Sequence, residues 1–143
     1  MDNSFWARMH GGTTHFPIAL MMASVAFDVA GFLLKTNPPN PRSAGLHAAG
    51  FYALLLGAFG SLGAVVSGLM LTRGDVWGRG NLQRHHLFLW PAFALLIALA
   101  VWRLVVRDRA SRRAFGIYLT ASLATAGLIG AAGYWGGELL LNG

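Results

Sequence analysis

The sequence predicts an all-α integral membrane protein, a bundle of four transmembrane helices with both termini on the periplasmic side. Three observations carry this. Of 143 residues, 55% are hydrophobic and only 11% charged, against about 25% charged in an average soluble domain. The apolar residues gather into four stretches of the length, about 20 residues, that a helix needs to cross hydrocarbon. Lysines and arginines are shared unequally between the connections, which sets the orientation.

The first span is expected over about Thr13–Leu34 and stops at Lys35 and the turn Asn37-Pro38-Pro39-Asn40-Pro41, which cannot continue a helix. The second runs from about His47 to Leu71 and ends at Thr72-Arg73-Gly74-Asp75. Asn81 is expected to cap the third, which runs from about Arg84 to Val106. The fourth runs from near Ala114 to about Glu138. No soluble-length linker, low-complexity tract or sequence repeat is visible, so the whole chain, 1–143, is read as a single transmembrane domain. Met1–Gly12 carries Asp2, Arg8 and His10 and does not read as a signal peptide.

Lys35, Arg42, Arg103, Arg107, Arg109, Arg112 and Arg113 fall on one side of such a bundle, and Arg8, Arg73, Arg79 and Arg84 on the other. The richer side is expected to be cytoplasmic, in a bacterial inner membrane. These basic residues flank apolar segments, so the net charge of +6 marks topology and not nucleic-acid binding. Trp6, Trp77, Trp90 and Trp135 fall towards the periplasmic interface and read as an aromatic belt.

Chemistry is bounded by what the chain lacks. There is no cysteine, which excludes disulfides, thiolate metal sites, iron–sulfur clusters and covalent c-type haem. No Ser-His-Asp order, phosphate loop or paired carboxylates support a hydrolase or kinase. The chain suits a subunit of an oxidoreductase better than a catalyst acting alone.

Histidines are the candidates. His15 opens the first apolar run, His85 and His86 the third, and His10 lies further out. A polar, ligand-capable side chain just inside a membrane helix is costly and usually marks function. Two imidazoles from different membrane helices are a means of holding b-type haem without a covalent bond. The expected iron ligands are His15 and one of His85 and His86, since adjacent helical residues diverge by about 100°. Arg8, Arg73 and Arg84 are expected to pair with propionates. His10 is the weaker candidate, because Gly11-Gly12 intervene. His47 stands alone at the cytoplasmic end and reads as interfacial. Asp28 reads as a buried hydrogen-bonding group or a proton site, and Glu138 as an acceptor that orients a histidine. Histidines that only bond between helices, and another metal, copper or zinc, remain the alternatives.

Small residues recur at three- and four-residue spacing as Gly50, Ala53, Gly57, Gly60, Ala64 and Ser67, and again as Ser122, Ala126, Gly130, Gly133 and Gly137. They read as close helix packing, or as clearance for a flat cofactor. Ala19, Ala23, Ala26 and Ala30 read as a groove below His15.

His-Phe-Pro-Ile-Ala-Leu at 15–20, Gly68 with Asp75, the histidine opening the third helix, and Gly-Gly-Glu-Leu at 136–139 resemble a bacterial four-helix membrane family, domain of unknown function 2231. The resemblance covers the whole chain. It implies respiratory or periplasmic redox work, because such domains occur alone or joined to cytochrome c-like domains, and it makes His15 and one of His85 and His86 the functional histidines. The expected function is thus a b-type haem-binding electron-transfer or anchor subunit holding one haem. Its partners would be membrane lipid, other membrane subunits, and a periplasmic cytochrome c or quinone. The alternative is a cofactor-free accessory subunit of a larger membrane complex.

Overall fold

In the computed structural model, which describes residues 3–34 and 40–142, the chain forms four long helices. They are α1 (Asn3–Leu33), α2 (Pro41–Leu71), α3 (Asn81–Val106) and α4 (Arg112–Asn142), with a 3₁₀ turn at Arg107–Arg109 before the last. All four are long and apolar enough to cross a membrane. Lys35 and the turn at 36–39 lie outside the described residues.

The helices are longer than their apolar cores. α1 starts ten residues before the expected Thr13 and runs straight through Gly11-Gly12. In hydrocarbon the backbone has no water to turn to, so continuing the ladder outweighs glycine's low propensity. α2 starts at Pro41 in the first turn, where a missing N–H costs nothing. Asn40 is its cap, accepting a hydrogen bond from the backbone N–H of Arg42 at 3.0 Å. Asn81, the expected cap of α3, is instead its first helical residue, and Gly80 holds the cap position without a side-chain bond.

The α2–α3 connection is held by Asp75. Its Oδ1 accepts the N–H groups of Trp77 and Gly78 at 3.0 and 2.7 Å, and these donors keep the carboxyl below its usual range. The Trp90 indole donates to Val76 O at 2.8 Å. That bond ties the loop to α3.

Packing is uneven. α1 lies close along α2 and α3 along α4, while the seams α1–α4 and α2–α3 are thin and, among the described residues, neither diagonal pair makes backbone contact. The bundle is two tight hairpins joined edge to edge. Small residues make the first hairpin tight, as their spacing predicts. A Cβ added at Gly57 would lie 3.3 Å from the Leu20 Cβ, and one at Gly60 3.4 Å from the Phe16 ring. On α4 only Ser122 and Ala126 of the expected set are buried; Gly130 and Gly133 are exposed. The core at the centre is Met21, Leu54, Leu96, Leu99, Tyr118 and Ala126.

Gly50 is the tightest of these contacts that bears on a charge. A Cβ there would stand 2.8 Å from the Asp28 carboxyl. Gly50→Ala is expected to lose about 1–3 kcal/mol through overpacking against a group that cannot retreat. Gly11→Ala, where nothing lies within 4 Å, should lose none. A thermal unfolding comparison in detergent checks both.

Candidate functional site

Asp28 decides how α1 is rotated. A carboxylate facing lipid is expensive, so α1 turns it inward, and its side chain is fully buried. Pro17, Met21, Ser24 and Gly31 share that buried face, while Ala19 and Ala26 are exposed. The alanine groove expected beneath His15 therefore faces lipid. His15, thirteen residues before Asp28, lies about 140° away at about 100° per residue and is exposed. His10, eighteen residues before, falls on the inward face again after about five turns.

The same relation holds on α3. Arg103 is buried at 4% exposure, and His85 precedes it by eighteen residues. The hairpins thus carry matching sets. His10 Nδ1 bonds Ala64 O on α2 at 2.9 Å; His85 Nδ1 bonds Ala132 O on α4 at 2.7 Å. A Cβ at Gly68 would meet the His10 ring at 2.9 Å, and one at Gly136 the His85 ring at 3.3 Å. His85 and Arg103 stand 75 residues after His10 and Asp28, and Ala132 and Gly136 stand 68 after Ala64 and Gly68. The chain does contain a repeat, of geometry and not of sequence.

Between the hairpins, at the end holding the termini, lies a cavity of about 330 Å³, within the size range of small-molecule sites. His10, His15, His85 and His86 all border it, with Ile18, Leu89, Phe93, Leu96 and Ile129 among its apolar lining. Gly68, Gly133, Gly136 and Gly137 also border it, so the outer half of the α4 small-residue set opens space there.

A carbonyl oxygen only accepts, so the Nδ1 atoms of His10 and His85 carry the proton. When neutral, each ring then presents its Nε2 lone pair. This is the usual poise of a metal-ligating histidine, with the second nitrogen anchored to the protein. His86 is buried at 5% exposure, packs 5.6 Å from the His85 ring and 5.9 Å from Trp90, and its Nδ1 has no partner among the described residues. Both members of the pair thus line the cavity, where one was expected to. His15 makes no hydrogen bond among the described residues. Arg8 and Arg73 are exposed, and Arg84 lies over the Trp135 ring at 4.6 Å. No three His, Asp or Glu side chains converge among the described residues, as a zinc site would need.

The opposite end holds a group that the sequence reading scattered. Asp28 Oδ1 is 3.0 Å from His47 Nδ1 and accepts from Arg103 at 3.2 Å; its Oδ2 accepts from the Tyr118 hydroxyl at 2.9 Å. Arg103 also donates to His47 O at 2.9 Å. Each helix gives one member. His47, expected to be alone and interfacial, is Asp28's partner. The missed signal was rotational: a buried acid on α1 at the depth of a histidine on α2 and an arginine on α3.

A family model described as predicted membrane protein (DUF2231) matches residues 8–142. The chain belongs to the DUF2231 family. Two of the motifs behind that resemblance now have physical roles, Asp75 holding the α2–α3 loop and Gly136 admitting the His85 ring against α4. No curated protein matches this DUF2231 chain. No solved structure matches it.

Proposed function

We propose that this DUF2231 protein is a b-type haem-binding electron-transfer or anchor subunit of a bacterial inner-membrane redox complex, with its haem in the histidine cavity near the periplasmic face. The observation that carries the reading is the matched pair of anchored imidazoles, His10 and His85, facing one apolar cavity from diagonally placed helices. The donor set fits haem, since two imidazoles and an apolar surround would hold that macrocycle, whereas zinc asks for three or four ligands. Bound there, the iron would supply one-electron transfer.

The chain's own residues do the rest. Ala64 O and Ala132 O hold the two rings in one tautomer and one orientation. Gly68 and Gly136 leave room for those rings. His15 and His86 border the same cavity and stand as the reserve ligands. Arg84, Arg8 and Arg73 lie at the same end, where propionates would meet water. The excess of arginine around Arg103–Arg113 supports placing the opposite end in the cytoplasm. A periplasmic cytochrome c or a membrane quinone is then the fitting exchange partner.

A visible absorption spectrum of the purified full chain tests this. A Soret band that shifts on dithionite reduction, with about one haem per chain, is expected. Colourless protein after expression with ample haem supply would overturn the reading and favour a cofactor-free accessory subunit.

A further inference from the structure

The cavity keeps the two-fold match between the hairpins, and the opposite end breaks it. There Asp28 on α1 answers to Arg103 on α3, and His47 on α2 answers to Phe115 on α4, 68 residues on. The His47 and Phe115 rings meet edge to face at 4.7 Å. The matched slots have become an acid, a base, a titratable ring and an inert one. In the assembled bundle Asp28 and Arg103 already balance each other's charge, so His47 adds a titratable group beyond what the ion pair needs.

We infer that His47 and Asp28 form a binding site for one exchangeable proton, loaded from the end of the bundle opposite the histidine cavity. Asp28 is 0% exposed and His47 24%, and His47 lies in the second turn of α2, so the ring is the more accessible member of the pair. Protonation at Nε2 converts His47 to imidazolium while its Nδ1–H continues to face Asp28 Oδ1 at 3.0 Å; release reverses the step. The proton comes from water and returns to it, and no other bond changes.

Among the described residues, each helix turns a polar group to this site. α1 gives Asp28, α2 His47, α3 Arg103 and α4 Tyr118, with Arg112 of α4 stacked over Phe32 at 4.7 Å nearby. Arg103 opposes loading and Asp28 favours it, so the carboxylate has to remain in place for the ring to take the proton. Two further buried polar atoms adjoin the group. Arg103 Nε has no partner among the described residues, and Ser122 Oγ, one turn beyond Tyr118, has the Tyr118 hydroxyl beside it. A buried polar atom placed as Arg103 Nε is ordinarily met by internal water, the medium through which a proton moves. The site is independent of the haem reading.

The test is ¹⁵N NMR of histidine-labelled full chain in detergent micelles, titrated between about pH 5 and pH 8, where histidine changes charge. One ring is expected to titrate reversibly and to vanish in His47→Gln, with about one fewer proton taken up per chain. Asp28→Asn should require about tenfold more protons, or beyond, to load the ring. Tyr118→Phe should act oppositely, because a carboxylate relieved of that donor attracts the proton more strongly. A His47 ring that stays in one state throughout, or a midpoint unmoved by Tyr118→Phe in protein that still folds, would overturn the inference. If Asp28→Asn fails to fold, Tyr118→Phe alone decides it.

Discussion

Asp28→Ala is expected to cost about 3–5 kcal/mol, because it strands the Arg103 guanidinium in a buried place with no counter-charge. Arg103 is 4% exposed and also lies against the Phe51, Phe115 and Tyr118 rings, with its carbon 5.0–5.8 Å from their centres. Those rings supply weak cation–π contacts that cannot replace a carboxylate. The double change Asp28→Leu with Arg103→Leu should recover much of the loss, since an apolar pair of similar bulk avoids burying charge at all. It should not recover everything, because the Tyr118 hydroxyl and the His47 Nδ1–H then lose their carboxylate acceptor, at about 1–3 kcal/mol each. Reversible unfolding in mixed micelles measures the series. A single variant within about 0.5 kcal/mol of wild type would show that the charged group is not what joins the hairpins.

His10→Ala and His85→Ala are each expected to strip haem, lowering retention more than about a hundredfold, since the loss of even a supporting contact to a metal ligand costs 10–100-fold. His15→Ala should leave the reduced spectrum nearly unchanged, because His15 borders the cavity but is exposed and, among the described residues, has no hydrogen bond that anchors its ring. His47→Ala should leave haem content intact, since it lies at the other end of the bundle. The measurement is haem per chain after purification, with the reduced spectrum as a check on ligation. Haem lost with His15→Ala and kept with His10→Ala would restore the axial pair first expected from the sequence.

The four spans were legible because membrane crossing leaves a strong mark: long apolar runs, a proline turn between the first two, basic residues at their ends. Their true ends were less so. Polar residues such as His10 and Thr13 conceal the first turns of α1, although the helix there is unbroken and Thr13 donates to Met9 O at 2.8 Å. At the site, the cluster of histidines at one end could be read from the chain, and which of them face inward could not. Rotation about each helix axis was judged from the apolar groove under His15, when the deciding residue was Asp28, whose burial outweighs any preference of alanines. Counting eighteen residues back from Asp28 and from Arg103 reaches His10 and His85 directly. The correspondence between the hairpins was hidden for a related reason, since its matched members are small or chemically unlike. Asp28 against Arg103 shares position and nothing else.

That division of charges also bears on how the protein is made. Asp28 and His47 belong to the first hairpin, and Arg103 and Tyr118 to the second. A nascent α1–α2 pair can shelter its acid against its own histidine before α3 and α4 exist. The later pair carries Arg103 close to the Arg107–Arg113 cluster, where a long side chain can reach headgroups and water. Neither half is left with a naked charge in lipid while it waits, so each can enter the bilayer by itself. The ion pair between them forms only as the halves meet, which makes it a latch for correct partnering as well as a bond.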